Sequence, residues 1–409
     1  MDKFWTEDVL GPSFRALTLP LEPDDEGPRV ATLVAYEPDG VAGHDTGHEP
    51  DGDAGQDSGQ DVGAADPARA VLYLHGFSDY FFHEELARTL HAHGWAFFAL
   101  DLHKYGRSML PGQTPGYATS LEDYDADLEA AVTALARRVA ARRGAPTVVD
   151  LVLIGHSTGG LIATLWATRN PGRIAALVLN SPWLDTLGTA LVKRTARGVL
   201  TAVSRRRPKL RLRLPQAGVS LRRAGRSGHR EWPVDPVWRP EAGFPITAGW
   251  LAAVLAAHAT LAKGISVSAP VLVLCSTAST LGAAWKSAKL ATDCVLDVVP
   301  MVRRAAELGP RVTIRRLPGA LHDVFLSRGD VRRLAVDSAA SWLDMYVPAG
   351  AADALVGPTA PRTPVRAWAS PSRTGTPRSG GGQAAGRRTG PPLVGAPRVR
   401  TRPSGDREG

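Results

Sequence analysis

Val148-Val149-Asp150-Leu151-Val152-Leu153-Ile154-Gly155-His156-Ser157-Thr158-Gly159-Gly160 is the stretch whose reading decides the fold. Its first seven residues are almost wholly aliphatic, which suits a short strand buried on both faces. A Gly-x-Ser-x-Gly turn follows, from Gly155 to Gly159. Leu161, Ile162, Leu165 and Trp166 then recur at helical spacing. Strand, tight glycine turn and helix in that order lift the Ser157 hydroxyl out of the end of a sheet. Ser157 is therefore the candidate nucleophile. An incidental serine in a glycine-rich turn would not need the apolar strand before it and the apolar helix after it.

The same alternation runs outward in both directions. Phe14 to Leu21 and Val30 to Tyr36 read as an opening hairpin. Ala70 to Leu74, Ala96 to Leu100, Ala175 to Leu179, Val271 to Leu274 and Val312 to Arg316 read as further strands. Glu84 to His93, Asp123 to Arg143, Gly160 to Thr168 and Val331 to Met345 read as helices between or after them. On the long helix, Leu128, Ala131, Leu135 and Val139 share one face. Apolar strands alternating with helices predict an α/β protein with a mostly parallel central sheet flanked by helices.

Three segments break the pattern. Residues 37–66 hold nine acidic residues and no Lys or Arg, and read as a disordered acidic loop. No Asp-x-Asp-x-Asp-Gly loop with a distant Glu occurs there, so calcium binding is not expected. Residues 181–268 are too long for a plain connection and should form an inserted helical cap, with helices over Ala190 to Val203 and Thr247 to Ala262. Within it, Thr186 to Arg230 carries thirteen basic residues and no acidic one. Residues 349–409, rich in Pro, Arg and Gly, read as a disordered tail. The core is then 1–36, 67–180 and 269–348. The net charge of +8 thus belongs to segments, not to one uniformly basic surface. Only two cysteines occur, and neither a signal-peptide pattern nor an 18-residue apolar stretch is seen, so a cytoplasmic protein is expected.

A serine hydroxyl needs a base. With chain order Ser, acid, His, the base should follow the last strand. His322 lies there, in Leu317-Pro318-Gly319-Ala320-Leu321-His322-Asp323. His156 sits inside the turn, His75 ends an earlier strand, and His91, His93, His229 and His258 fall on helices or in the insertion. The acid should follow Val271 to Leu274. No carboxylate comes directly after that strand; Asp293 is the first downstream and Asp297 its competitor. Asp323, next to the base, is expected to face solvent. Two backbone N–H groups should hold a developing oxyanion, those of Thr158 and Phe77.

Leu74-His75-Gly76-Phe77, Asp101 through Tyr105-Gly106-Arg107-Ser108, the Gly155–Gly160 turn and Pro318 to Asp323 together resemble the monoacylglycerol lipase and lysophospholipase branch of the α/β-hydrolases, labelled serine aminopeptidase S33-like. The likeness spans roughly Phe14 to Tyr346. It implies the α/β-hydrolase fold, a helical cap, no cofactor and no metal. In that family the acid sits in a short Gly-x-x-Asp segment directly after its strand, whereas here seventeen residues separate Cys275 from Asp293.

The expected function is carboxylic-ester hydrolysis through an acyl-enzyme, on lipid-like monoesters such as monoacylglycerols or lysophospholipids. Leu200, Val203, Trp232, Trp238, Phe244, Trp250, Leu251 and Leu255 of the insertion could line an acyl pocket. Its basic stretch suits peripheral contact with an anionic membrane. Peptide or amide hydrolysis is the alternative of the same chemistry. It would want a carboxylate in the insertion to hold an amine, and Glu231, Asp235 and Glu241 are the candidates there. A non-catalytic lipid-binding protein on the same fold is the third reading. Nucleic-acid binding is not expected, because the basic stretch lacks interleaved aromatics.

Overall fold

The structure is a computed structural model that describes residues 5–38, 68–185, 190–212, 232–282 and 284–349. The chain divides into two units, Met1–Trp368 and Ala369–Gly409, and every described residue lies in the first. Residues 39–67, 186–189, 213–231 and 350–409 lie outside the described residues. Most of the acidic stretch, much of the basic one and the C-terminal stretch are therefore not described.

One nine-stranded sheet organises the molecule. It opens with β1 (Thr6–Asp8), β2 (Gly11–Asp24) and β3 (Gly27–Tyr36), which pair antiparallel. The rest are β4 (Ala68–Leu74), β5 (Ala96–Asp101), β6 (Val149–His156), β7 (Ala176–Asn180), β8 (Val271–Ser276) and β9 (Val312–Leu317). Their order across the sheet is β1-β2-β3-β5-β4-β6-β7-β8-β9. Every pairing from β5 onward is parallel, while β3 meets β5 antiparallel. The expected mostly parallel sheet is what the chain builds. The three-residue β1 is too short to leave a sequence pattern.

Period-two alternation sends the strand side chains to two covered faces. Leu72, Leu74, Leu151 and Leu153 pack against α2 (Asp125–Arg143) and α3 (Thr158–Arg169). Val71, Tyr73, Val152 and Ile154 pack on the other face, against α1 (Glu84–Ala92) and α7 (Gly329–Tyr346). Both faces are dry, which is why the strands read as unbroken apolar runs. The helices begin and end where local chemistry dictates. Ser120 and Asp123 form a capping box on the turn that feeds α2, and Gly144, at φ +67°, stops it.

From β4 the chain moves to β5 on one side, then returns to β6 on the other. The strand order therefore reverses between β4 and β6, and loops at their C-terminal ends diverge there. Between β7 and β8 the described insertion carries α4 (Ala190–Arg206) and α5 (Ala248–Leu261). Another helix, α6 (Val298–Ala305), precedes β9.

Glu37, the first residue of the stretch read as a solvated acidic loop, is instead buried. Its carboxylate accepts from Arg138 Nε at 2.9 Å and Nη2 at 2.7 Å. Burial opposes the charge, but the Arg138 and Arg142 guanidiniums hold this carboxyl below the usual range.

Candidate active site

Ser157 stands between the last residue of β6 and the first of α3, at φ +51° and ψ −114°. A non-glycine residue held there costs about 1–3 kcal/mol and persists only where its surroundings enforce it. Those surroundings are specific. Ser157 N–H donates to Asn180 O at 3.0 Å, and Ser157 O accepts from Leu161 N and Trp183 N. The flanking glycines are required by close approach. A Cβ on Gly155 would lie 2.7 Å from Gly159 O, and one on Gly159 would lie 2.6 Å from Leu74 O.

His322 follows β9, beyond a turn in which Gly319 takes φ +76°. Its Nε2 lies 3.1 Å from Ser157 Oγ, and its Nδ1 lies 2.9 Å from Asp293 Oδ2. A carboxylate only accepts, so Nδ1 carries the proton and the Nε2 lone pair faces the Ser157 hydroxyl. Burial disfavours the imidazolium. The Asp293 carboxylate outweighs it by charge and hydrogen bond, and raises His322 above its ordinary 6.5.

Asp293 is fully buried. Its Oδ1 accepts from Val295 N and Leu296 N, both at 2.8 Å, which leaves Oδ2 for the imidazole. The chain reaches this position by an excursion. Asp293 N–H donates to Ala278 O at 3.0 Å and Thr280 N–H to Asp293 O at 2.8 Å, so Ser279 and Asp293 pair as a parallel bridge. The described residues between Thr280 and Asp293 loop out and return, which restores Asp293 to the place just past β8. Asp297 is elsewhere: its Oδ1 accepts from Val299 N at 2.9 Å and caps α6.

Thr158 opens α3, where the first helical N–H groups have no intrahelical acceptor. On the other side, a Cβ on Gly76 would lie 3.2 Å from Ser157 Cβ, so the backbone before Phe77 touches the nucleophile turn. The Phe77 ring packs tilted by 35° against Trp250 of α5, 3.9 Å between centroids. Phe244 and Tyr105 close around the same ring. Phe244 and Trp250 are buried, while Trp232 and Trp238 keep partial exposure.

One expectation changes. Asp323 is buried rather than facing solvent. Its Oδ1 accepts from Asn180 Nδ2 at 2.7 Å and from Phe325 N at 3.0 Å. Asn180 itself left no sequence signal beyond ending an apolar strand. Its backbone oxygen holds Ser157 N and its side-chain Oδ1 accepts from Val324 N at 3.0 Å. One residue thus ties the nucleophile turn to the His322 loop. The remaining histidines near the sheet end have other tasks. His75 Nε2 accepts from Leu102 N at 3.1 Å, and burial pushes the His156 imidazole below its ordinary 6.5. Cys275 and Cys294 are free and buried, and burial pushes both thiols up to about 11.

A sheet of this order, with a positive-φ serine directly after β6 and a histidine after its last strand, is an α/β-hydrolase. Residues 65–327 match the family described as serine aminopeptidase, S33, and the chain belongs to that family. Solved structures agree on the fold. A soluble variant of monoglyceride lipase from Saccharomyces cerevisiae, in complex with a substrate analogue, is similar at 14% identity and TM-score 0.51, over 81% of this chain and 96% of that one. A thermostable carboxyl esterase from Bacillus coagulans, in complex with glycerol, is similar at 13% identity and TM-score 0.51, over 81% and 98%. No curated protein matches the chain.

Proposed function

We propose that this hydrolase is a serine esterase that cleaves lipid-like carboxylic monoesters through an acyl-enzyme, with Ser157, His322 and Asp293 as its triad. The observation that carries the reading is the continuous chain Ser157 Oγ–His322 Nε2, His322 Nδ1–Asp293 Oδ2, at 3.1 and 2.9 Å. Ser157 Oγ attacks the ester carbonyl carbon as its proton passes to His322 Nε2. The Phe77 and Thr158 amides hold the oxyanion. The tetrahedral intermediate collapses, the alcohol leaves with the proton from His322, and water releases the acid by the same steps. Asp293 keeps the imidazole in the tautomer that accepts at Nε2 and stabilises the imidazolium.

Residues 181–268 serve as the cap in this reading. The half-buried Phe77, which follows the backbone that touches the nucleophile turn, packs with the buried Tyr105, Phe244 and Trp250, and this aromatic set favours an acyl chain over a polar side chain. Peptide hydrolysis is less favoured. Asp235 Oδ1 is engaged by Val237 N at 2.7 Å and Trp238 N at 3.2 Å, which orders a local turn. Glu231 lies outside the described residues. No helix among the described residues is long and apolar enough to cross a membrane. Exposed Arg194, Arg205, Arg206 and Arg207 on and after α4, with Val199 beside them, support peripheral contact with an anionic surface. A panel of monoacylglycerols, lysophospholipids and amino-acid amides tests the reading. Turnover of the monoesters with none of the amides is expected, and the reverse preference would overturn it.

A further inference from the structure

Behind the His322 ring lies a second group of buried side chains that the proposed chemistry does not use. Asp79 follows β4, His156 ends β6 and Asp323 follows β9. One donor atom from each lies within 4.8 Å of the others. All three are at least nine-tenths buried, at 4%, 5% and 6% exposure.

What meets there is lone pairs. His156 Nδ1 lies 3.2 Å from Asn180 O, and a carbonyl only accepts, so Nδ1 holds the proton and Nε2 is the free base. That nitrogen faces Asp323 Oδ2 at 3.9 Å. Asp323 Oδ1 is satisfied by Asn180 and Phe325, but Oδ2 is buried with no hydrogen-bond partner among the described residues. Arg239 approaches Asp79 at Oδ1, 2.8 Å away. A buried carboxylate oxygen aimed at another acceptor is unfavourable unless something positive or donating sits between them.

We propose that Asp79, His156 and Asp323 form a site for one divalent transition-metal ion of the zinc class. One imidazole and two carboxylates, with no sulfur, suit zinc or manganese better than calcium or copper(I). The Nδ1–H to backbone-carbonyl bond of His156 is the outer support that metal-binding imidazoles use. His83 Nε2, 4.0 Å from Asp323 Oδ2, is a fourth donor within reach, though it now contacts Tyr73 OH at 3.1 Å. Bonds of about 2.0–2.1 Å put tetrahedral ligands about 3.4 Å apart, so loading closes the 3.9 Å His156–Asp323 separation by about half an ångström and any separation near the 4.8 Å limit by about 1.4 Å. The consequence is a cross-link. Phe77 lies two residues before Asp79, Ser157 directly follows His156, and His322 directly precedes Asp323. The ion would staple together the three loops that carry the oxyanion donor, the serine and the histidine. The sequence reading expected no metal, and with the three ligands on three distant loops no spacing motif could reveal one.

The test uses the full chain, stripped with a chelator, re-equilibrated with zinc chloride and freed of excess ion. We expect about one zinc per chain by plasma mass spectrometry and a rise in Tm of at least about 3 °C. Asp79→Asn and Asp323→Asn should each weaken binding at least about 10-fold. Should either variant fail to fold, anomalous diffraction from zinc-loaded wild-type crystals decides: a peak among Asp79, His156 and Asp323 supports the site. No retained zinc, a peak elsewhere, or unchanged affinity in folded variants would overturn it. Metal content and peak position are read without ester turnover, so they stand or fall apart from the proposed esterase activity.

Discussion

At the scale of single residues, the carboxylate behind His322 is the most informative position. Asp293 and Asp297 were both open from the sequence, since both follow β8 at unusual distance. Their geometries separate them: one bonds the imidazole, the other caps α6. We expect Asp293→Asn to lower kcat about 10⁴-fold with the fold retained, because the amide selects the wrong imidazole tautomer. Asp297→Ala should leave kcat near wild type and cost about 1 kcal/mol in urea unfolding, the usual loss of an N-cap. Swapped phenotypes would refute the assignment. The pH profile gives a second check. His322 must be neutral to accept a proton, and its pairing with Asp293 raises its pKa. The acid limb of kcat/KM should therefore rise with pH and have its midpoint above 6.5. A midpoint below that value would mean that pairing with Asp293 does not raise the His322 pKa. Ser157 and His322 could be proposed from the sequence because each sits in a motif of fixed chain order. Asp323 was misread because adjacency to a loop histidine says nothing about which way a side chain turns.

Among elements, the nucleophile turn and the β8 excursion show opposite limits of sequence reading. The turn was legible: an apolar strand, a glycine turn and an apolar helix in that order place the serine at the end of the sheet. Its tolerance is correspondingly small. Gly159→Ala would drive a methyl into the carbonyls of Leu74 and His75 at the end of β4. We expect about 1–3 kcal/mol of destabilisation by thermal or denaturant unfolding, together with lost turnover. A stable, active variant would show that the β4–turn contact is looser than described. The excursion between Thr280 and Asp293 left Asp293 and Asp297 both open as the acid, because pairing across it is a tertiary fact. Ser279 and Asp293 are fourteen positions apart, yet they pair as neighbours. The short strand β1 escaped notice for a similar reason. It is fixed from outside, by Arg107 Nε bonding Asp8 Oδ2 at 2.6 Å, rather than by its own three residues.

For the whole molecule, strand order was legible only as a class. Alternating apolar strands and helices announced a parallel sheet, but the reversal between β4 and β6 that places the site is set by chain path, not by local pattern. Charge is the other whole-molecule property. If the α4 face docks on lipid, the protein should cosediment with phosphatidylserine vesicles at low salt and be released as salt rises. Replacing Arg205, Arg206 and Arg207 with Glu should weaken that binding at least about 10-fold, and unchanged sedimentation would remove the membrane contact from the account. The central claim is that Ser157 is the nucleophile. Treating the intact protein with a fluorophosphonate, followed by mass spectrometry of its peptides, tests it most directly. We expect one adduct, on Ser157, with p-nitrophenyl ester turnover lost in proportion, and neither labelling nor turnover in a folded Ser157→Ala variant. An adduct on another residue, or retained turnover in that variant, would contradict the account.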